Sequence, residues 1–122
     1  MSSDYLCYQI SKELHDLGVE FKANAWYCLH EEEGCGYVEL RHKGEVLVGE
    51  IELCAAPSTA QLIDKLREYG RDFAIETENL GVFVYSKVSE PASLSFRIKG
   101  ECITACLGEA LIKLTKEQND GQ

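Results

Sequence analysis

Six cysteines and three histidines are the side chains of this 122-residue sequence best suited to chemistry. Cys28, His30 and Cys35 come closest to a metal-ligand pattern. Cys28 and His30 share one side of an extended run, and Cys35 could return from the loop beyond it. Structural zinc takes four ligands, commonly in paired short spacings. The spacing here is irregular, and a fourth ligand would have to come from Glu31, Glu32, Glu33 or His42. These three are weak metal candidates, and no cofactor is expected. Cys102 and Cys106 lie four apart at the start of a helical pattern, on one face. Dithiol redox pairs are usually Cys-x-x-Cys with the thiolate held at a helix N-terminus. The longer spacing and the apolar neighbours Ile103 and Ala105 favour packing, where cysteine behaves as a small hydrophobe. Nucleophilic catalysis by a thiol needs a histidine that is itself oriented. His15, His30 and His42 fall on a helix, a strand and a turn among polar neighbours. Gly34-x-Gly36 lacks the third glycine and the following helix of a phosphate-binding loop. No catalytic residue is expected, and the chain reads as a non-enzyme.

Charge narrows the partners. Twelve Lys and Arg stand against 21 Asp and Glu, a formal net charge of −9. Affinity for nucleic acid comes largely from cations that displace condensed counterions, so neither nucleic acid nor an anionic membrane surface is expected as a partner. A basic protein is electrostatically welcome. Glu50 with Glu52, and Glu76 with Glu78, alternate along extended runs, so each pair points to one sheet face. These four carboxylates are the candidate interaction surface, and an acidic face of this kind can mimic nucleic acid. Arg41, Lys43, Arg97 and Lys99 occupy outward positions from which cross-strand pairs could offset it. No apolar run approaches the roughly 18 residues of a membrane span. The opening Met1-Ser2-Ser3-Asp4-Tyr5 lacks the basic and apolar parts of a secretory leader. A cytoplasmic location with the cysteines kept as thiols is therefore expected.

The elements that must position these residues follow from periodicity. Cys7, Ile10, Leu14 and Leu17 mark one apolar helix face over about 5–17, with Asp4 as N-cap and Gly18 as stop. Val19–Leu29 reads as extended. Gly36–Arg41 alternates, with Val38 and Leu40 on one side and Tyr37, Glu39 and Arg41 on the other. Val46–Leu53 puts Leu47, Ile51 and Leu53 opposite Glu50 and Glu52, so His42-Lys43-Gly44-Glu45 reads as a hairpin turn. Ser58 with Gln61 fits a capping box opening a second helix, with Leu62, Ile63, Leu66 and Tyr69 as its apolar face and Gly70 as its stop. Asp72–Glu78, Gly81–Val88 and Leu94–Lys99 read as strands, and Ile103–Lys116 as a closing helix.

The fold class is α+β, in the order α-βββ-α-βββ-α, with antiparallel strands covered by helices. One domain over 1–118 is expected, with pseudo-repeated halves at about 5–56 and 57–118 and a flexible tail at 119–122. Leu14, Leu17, Gly18 and Phe21 recur in order as Leu66, Tyr69, Gly70 and Phe73, and Thr59, Ala60, Leu62 and Leu66 recur as Thr104, Ala105, Leu107 and Leu111. Three-stranded units with one apolar face need helices to cover them. They could form one six-stranded sheet or face each other across the helices.

The run Pro57-Ser58-Thr59-Ala60-Gln61-Leu62-Ile63-Asp64-Lys65-Leu66-Arg67-Glu68-Tyr69-Gly70-Arg71-Asp72-Phe73 resembles the first helix and strand of small bacteriophage proteins known as the phage ABA-sandwich domain. Ile103–Lys113 resembles that family's closing helix, so the resemblance covers about 55–117. The family's middle-strand aromatic pair is replaced by Leu80-Gly81-Val82-Phe83-Val84-Tyr85, and the N-terminal half has no clear counterpart. The resemblance implies a prophage or mobile-element accessory protein and no catalytic residues. By element order alone the chain is also similar to class I type III secretion chaperones, which are small, acidic and dimeric. Double-stranded-RNA-binding domains share the αβββα order but open their second helix with basic residues, where this chain has Ala56-Pro57-Ser58-Thr59. The expected function is a non-enzymatic protein-interaction module using a sheet face or edge, with a homodimer among its possible assemblies. The alternatives are a secretion-type chaperone and a small-molecule or metal-binding module built on the cysteine-rich first half.

Overall fold

The computed structural model describes residues 5–69, 73–76, 81–85 and 94–120. The elements are α1 (Tyr8–Asp16), β1 (Ala25–Glu32), β2 (Cys35–His42), β3 (Ile51–Ala55), α2 (Thr59–Glu68), β4 (Phe73–Glu76), β5 (Gly81–Tyr85), β6 (Leu94–Lys99) and α3 (Ile103–Asp120). This is the α-βββ-α-βββ-α order. The strands form two separate three-stranded antiparallel sheets, ordered β2-β1-β3 and β4-β5-β6.

The three helices run side by side in one direction. Thr59 and Thr104, at the starts of α2 and α3, join hydroxyls at 2.7 Å, and Tyr69 and Thr115 do so toward the far ends at 2.6 Å. Lys116 of α3 reaches Glu13 near the end of α1 at 3.2 Å. At the start of α1, the Leu6 amide donates to the Pro57 carbonyl at 2.9 Å. At Gly108 the N-terminal segment packs close against α3: a Cβ there would lie 2.7 Å from Leu6 Cδ1 and 2.8 Å from Ile10 Cγ2. Ser58 and Gln61 form the reciprocal capping box, satisfying two orphan backbone donors.

The apolar core lies between these helices and the second sheet. Leu6, Leu14, Leu62, Leu66, Leu107 and Leu111 are sealed together with Val82, Val84 and Phe96. Val82 and Val84 alternate along β5, so both point at α3. No strand residue of the first sheet belongs to this cluster. That sheet rests on α1 instead. Tyr27 donates its hydroxyl to the Leu6 carbonyl, and its ring meets Tyr8 edge-on at 5.4 Å.

Several boundaries differ from the sequence reading. α1 starts at Tyr8 with Cys7 as N-cap, because Tyr5 is spent on a bridge to Ser58. Residues 19–24 are not strand; β1 begins at Ala25. α3 continues to Asp120, four residues past the expected end and into the segment read as tail. The largest correction concerns His42-Lys43-Gly44-Glu45, which is not a hairpin turn. β2 and β3 both pair with β1 and never with each other. Since β2 ends opposite Ala25 and β3 begins opposite Leu29, residues 43–50 must cross the sheet and travel back along β1.

Candidate functional site

Residues on the two faces of the first sheet follow from the pairing register. Ala25, Tyr27, Leu40, His42 and Cys54 face α1, and Trp26, Cys28, His30, Tyr37, Glu39, Arg41 and Glu52 face the other way. A bulge leaves Leu53 unpaired between Glu52 and Cys54.

The crossover 43–50 lies over this second face, and Glu50 fastens it there. The Glu50 carboxylate receives Arg41 Nε at 3.2 Å and Arg41 Nη2 at 3.1 Å, a bidentate pair, together with His30 Nδ1 at 3.0 Å and the Leu47 amide at 2.8 Å. Arg41 Nη1 also donates to Glu39 at 2.8 Å. The Glu50 side chain is only 1% exposed. The Arg41 guanidinium first, then the Leu47 N–H, hold its carboxyl down at about 2. A carboxylate with every lone pair taken has nothing left for proton transfer. The cluster is a clasp, and it closes the lid under which Cys28 is sealed.

The candidate residues therefore scatter. Cys28 is buried beneath the crossover, and burial with the nearby Glu50 and Glu52 carboxylates pushes its thiol up. His30 is committed to Glu50, while Cys35 is exposed at the hairpin tip opposite Glu32. Among the described residues no group of three or more His, Cys, Asp or Glu side chains could hold a metal. The acidic surface does not assemble either. Glu50 is inside the clasp, Glu52 is exposed beside it, Glu76 pairs with Arg97 on the other sheet, and Glu78 lies outside the described residues. Alternation placed Glu50 on an open strand face, but β3 begins at Ile51, and Glu50 belongs to the crossover and turns its carboxylate onto His30 and Arg41.

Cys102 sits at the start of α3. Its thiol is pulled down by the backbone N–H of Ala105 and by Thr104, whereas burial pushes that of Cys106 up. The grooves among the described residues are shallow and of mixed polarity. The one between the end of α1 and β3 holds about 390 Å³ and includes Ser11, His15, Phe21, Trp26 and Glu52.

The sequence reading expected a sheet face or edge as contact surface without saying which strand forms it. β2 is eight residues long and pairs with β1 in an unbroken register, without bulge, proline or lysine. Among the described residues, nothing pairs with its outer side. The other edges are blunted: β3 is five residues and bulged, β4 is four residues, and β6 meets β5 through a register shift. Large apolar side chains stay exposed on β2 at Tyr37 and Val38, on the crossover at Leu47 and Val48, and on β3 at Ile51. The signal was present in the sequence as an eight-residue run without proline or lysine.

Comparison with protein-family models, with curated proteins and with solved structures yields no match. No described helix is long and apolar enough to cross a membrane.

Proposed function

We propose that this chain is a non-enzymatic interaction module that binds a protein partner by strand addition at β2. The observation that carries this is the eight-residue edge without bulge, proline or lysine, on which Tyr37 and Val38 stay exposed. Natural sheets blunt such edges with charge, proline, bulges or short length, because an unpaired row of N–H and C=O groups is a template for another strand. In β-augmentation, main-chain hydrogen bonds give affinity and alternate side chains give specificity. Here Tyr37, Glu39 and Arg41 would read one side of the incoming strand, and Val38 and Leu40 the other. A recognition surface of acidic carboxylates loses its footing once Glu50 and Glu76 are spent on arginines. The likeness of residues 55–117 to the phage ABA-sandwich family supports a cytoplasmic, prophage or mobile-element accessory role for the module.

The test is selection of extended peptides from a displayed random library on the wild-type protein, then on Val38→Lys, with circular dichroism confirming that both fold. Strand addition predicts peptides that bind the wild type and lose binding to the variant. Peptides that bind both equally, or no enrichment on protein shown to be monomeric, would overturn it.

A further inference from the structure

The geometry points to a second copy of this chain as the strand that β2 receives, docked antiparallel about a two-fold axis at Leu40. This rests on the strand-addition reading and names its partner.

The hairpin sets the phase of the hydrogen bonds along β2. Glu33 and Gly34 have φ of +51° and +81°, the two left-handed positions of a two-residue type I′ loop. The pair closing that loop, Glu32 and Cys35, exchanges backbone hydrogen bonds, as does every second pair beyond it. Those are His30 with Tyr37, Cys28 with Glu39 and Trp26 with Arg41. The Lys43 amide, donating to the Asn24 carbonyl at 2.9 Å, keeps the same phase at the far end. The backbone groups of Tyr37, Glu39 and Arg41 are thus spent on β1. Those of Gly36, Val38 and Leu40 and the His42 N–H point outward, while the His42 carbonyl takes the Glu45 amide at 2.9 Å and keeps one lone pair for a partner.

A two-fold related copy can meet this row in three central registers. Centred on Val38, Arg41 faces Cys35 and Glu39 faces Tyr37, so the charges go unmatched. Centred on Glu39, the two Glu39 carboxylates oppose each other directly, which is destabilising. Centred on Leu40, each Glu39 faces an Arg41 of the second copy, Val38 faces His42, and Tyr37 faces Lys43. Glu39 and Arg41 already touch at 2.8 Å within one chain. The pairing therefore builds a ring of four alternating charges. It also gives the exposed Val38 and Tyr37 neighbours, and joins two three-stranded sheets into one of six strands. A closed two-fold contact of this kind uses the same surface on both copies and leaves neither β2 edge open.

The experiment is backbone-resolved hydrogen exchange over a dilution series of the intact protein, with sedimentation analysis of the same samples. Self-pairing predicts a dimer in which the Val38, Leu40 and His42 amides become protected as concentration rises, while those of Tyr37, Glu39 and Arg41 are protected throughout. Val38→Lys should abolish both the dimer and the concentration-dependent protection. Glu39→Gln reads the register. Losing two cross-strand charge pairs should weaken the dimer roughly 2- to 30-fold, whereas tighter association would point to the Glu39-centred register and overturn this one. A monomer that still takes up extended peptides at β2 would overturn self-pairing and leave strand addition standing. A monomer that takes up none would overturn both. A dimer whose outer β2 amides still exchange freely would place the contact elsewhere and overturn the proposal.

Discussion

In the second sheet the middle strand β5 turns Val82 and Val84 onto α3, and Phe96 of β6 joins them in the core. In the first sheet the middle strand β1 buries only Ala25 and Cys28, and Cys28 faces a charged clasp. Both halves have the same element order, yet their pairing differs. β4, β5 and β6 form a simple meander, so no connection has to pass over a face. β2 and β3 flank β1, so residues 43–50 must cross, and a covering segment that carries polar groups demands polar partners beneath it. The crossing leaves Leu47 and Val48 exposed at its outer surface and holds itself down through Glu50. A meander can put its apolar surface into the core. A crossed sheet spends one face on hydrogen bonds and leaves apolar side chains exposed.

The sharpest way to break this contrast is to cut into each half and compare. Leu107 of α3 is fully buried in the cluster shared with the second sheet. Leu107→Ala should cost about 2–5 kcal/mol, the transfer loss plus the cavity left behind. Denaturant unfolding at fixed slope reads the change. A cost under about 1 kcal/mol would mean that the helices and second sheet are not where the stability lies.

The clasp calls for a pH test. Glu50 sits at about 2 in the folded protein against an ordinary 4.5, so the unfolded chain takes up the proton first as pH falls. Its contribution is present in full above about 4.5 and is lost as pH drops toward about 2. Glu50→Gln should lower stability at neutral pH and flatten the acid limb across that window. Amide exchange should quicken in 43–50 and β3 and stay unchanged in β4–β6. Parallel acid limbs for the two proteins would show that the clasp contributes nothing, and the first sheet would need another explanation.

The contrast also explains what could be read in advance. The Ser58–Gln61 capping box and the two sides of β2 were legible, since both depend on neighbours in sequence. Thr59 and Thr104, each read as opening a helix, join hydroxyls at the starts of two parallel helices. The crossover was not legible. His42-Lys43-Gly44-Glu45 has the chemistry of a tight turn, and Val46–Leu53 alternates as a hairpin strand would. Which neighbour a strand pairs with is a tertiary choice that period two does not encode. Placing Glu50 outside followed from that one error. The shifted start of α1 has the same root, because the bridge from Tyr5 to Ser58 joins residues far apart in the chain.

The smallest expected effect is the most telling for function. Ile51 and Val48 are exposed, as are Tyr37 and Val38. If the first sheet keeps its apolar surface for a partner, these side chains contribute little to folding of the isolated chain. Val48→Ser and Ile51→Ser should each change unfolding free energy by no more than about 0.5 kcal/mol, as surface substitutions generally do. Measured on dilute protein, that near-neutrality sets them apart from Leu107→Ala by several-fold. Repeated at high concentration, the wild type gains stability from any self-association, because whatever binds only the folded state stabilises it by mass action. Val48 and Ile51 lie off the β2 edge, on the crossover and on β3, so both serine variants should keep that gain, whereas Val38→Lys should lose it. A core-sized cost at Ile51 in dilute protein would mean that the Leu29 end of the sheet is already packed within one chain, and the exposed patch would cease to be evidence for a partner.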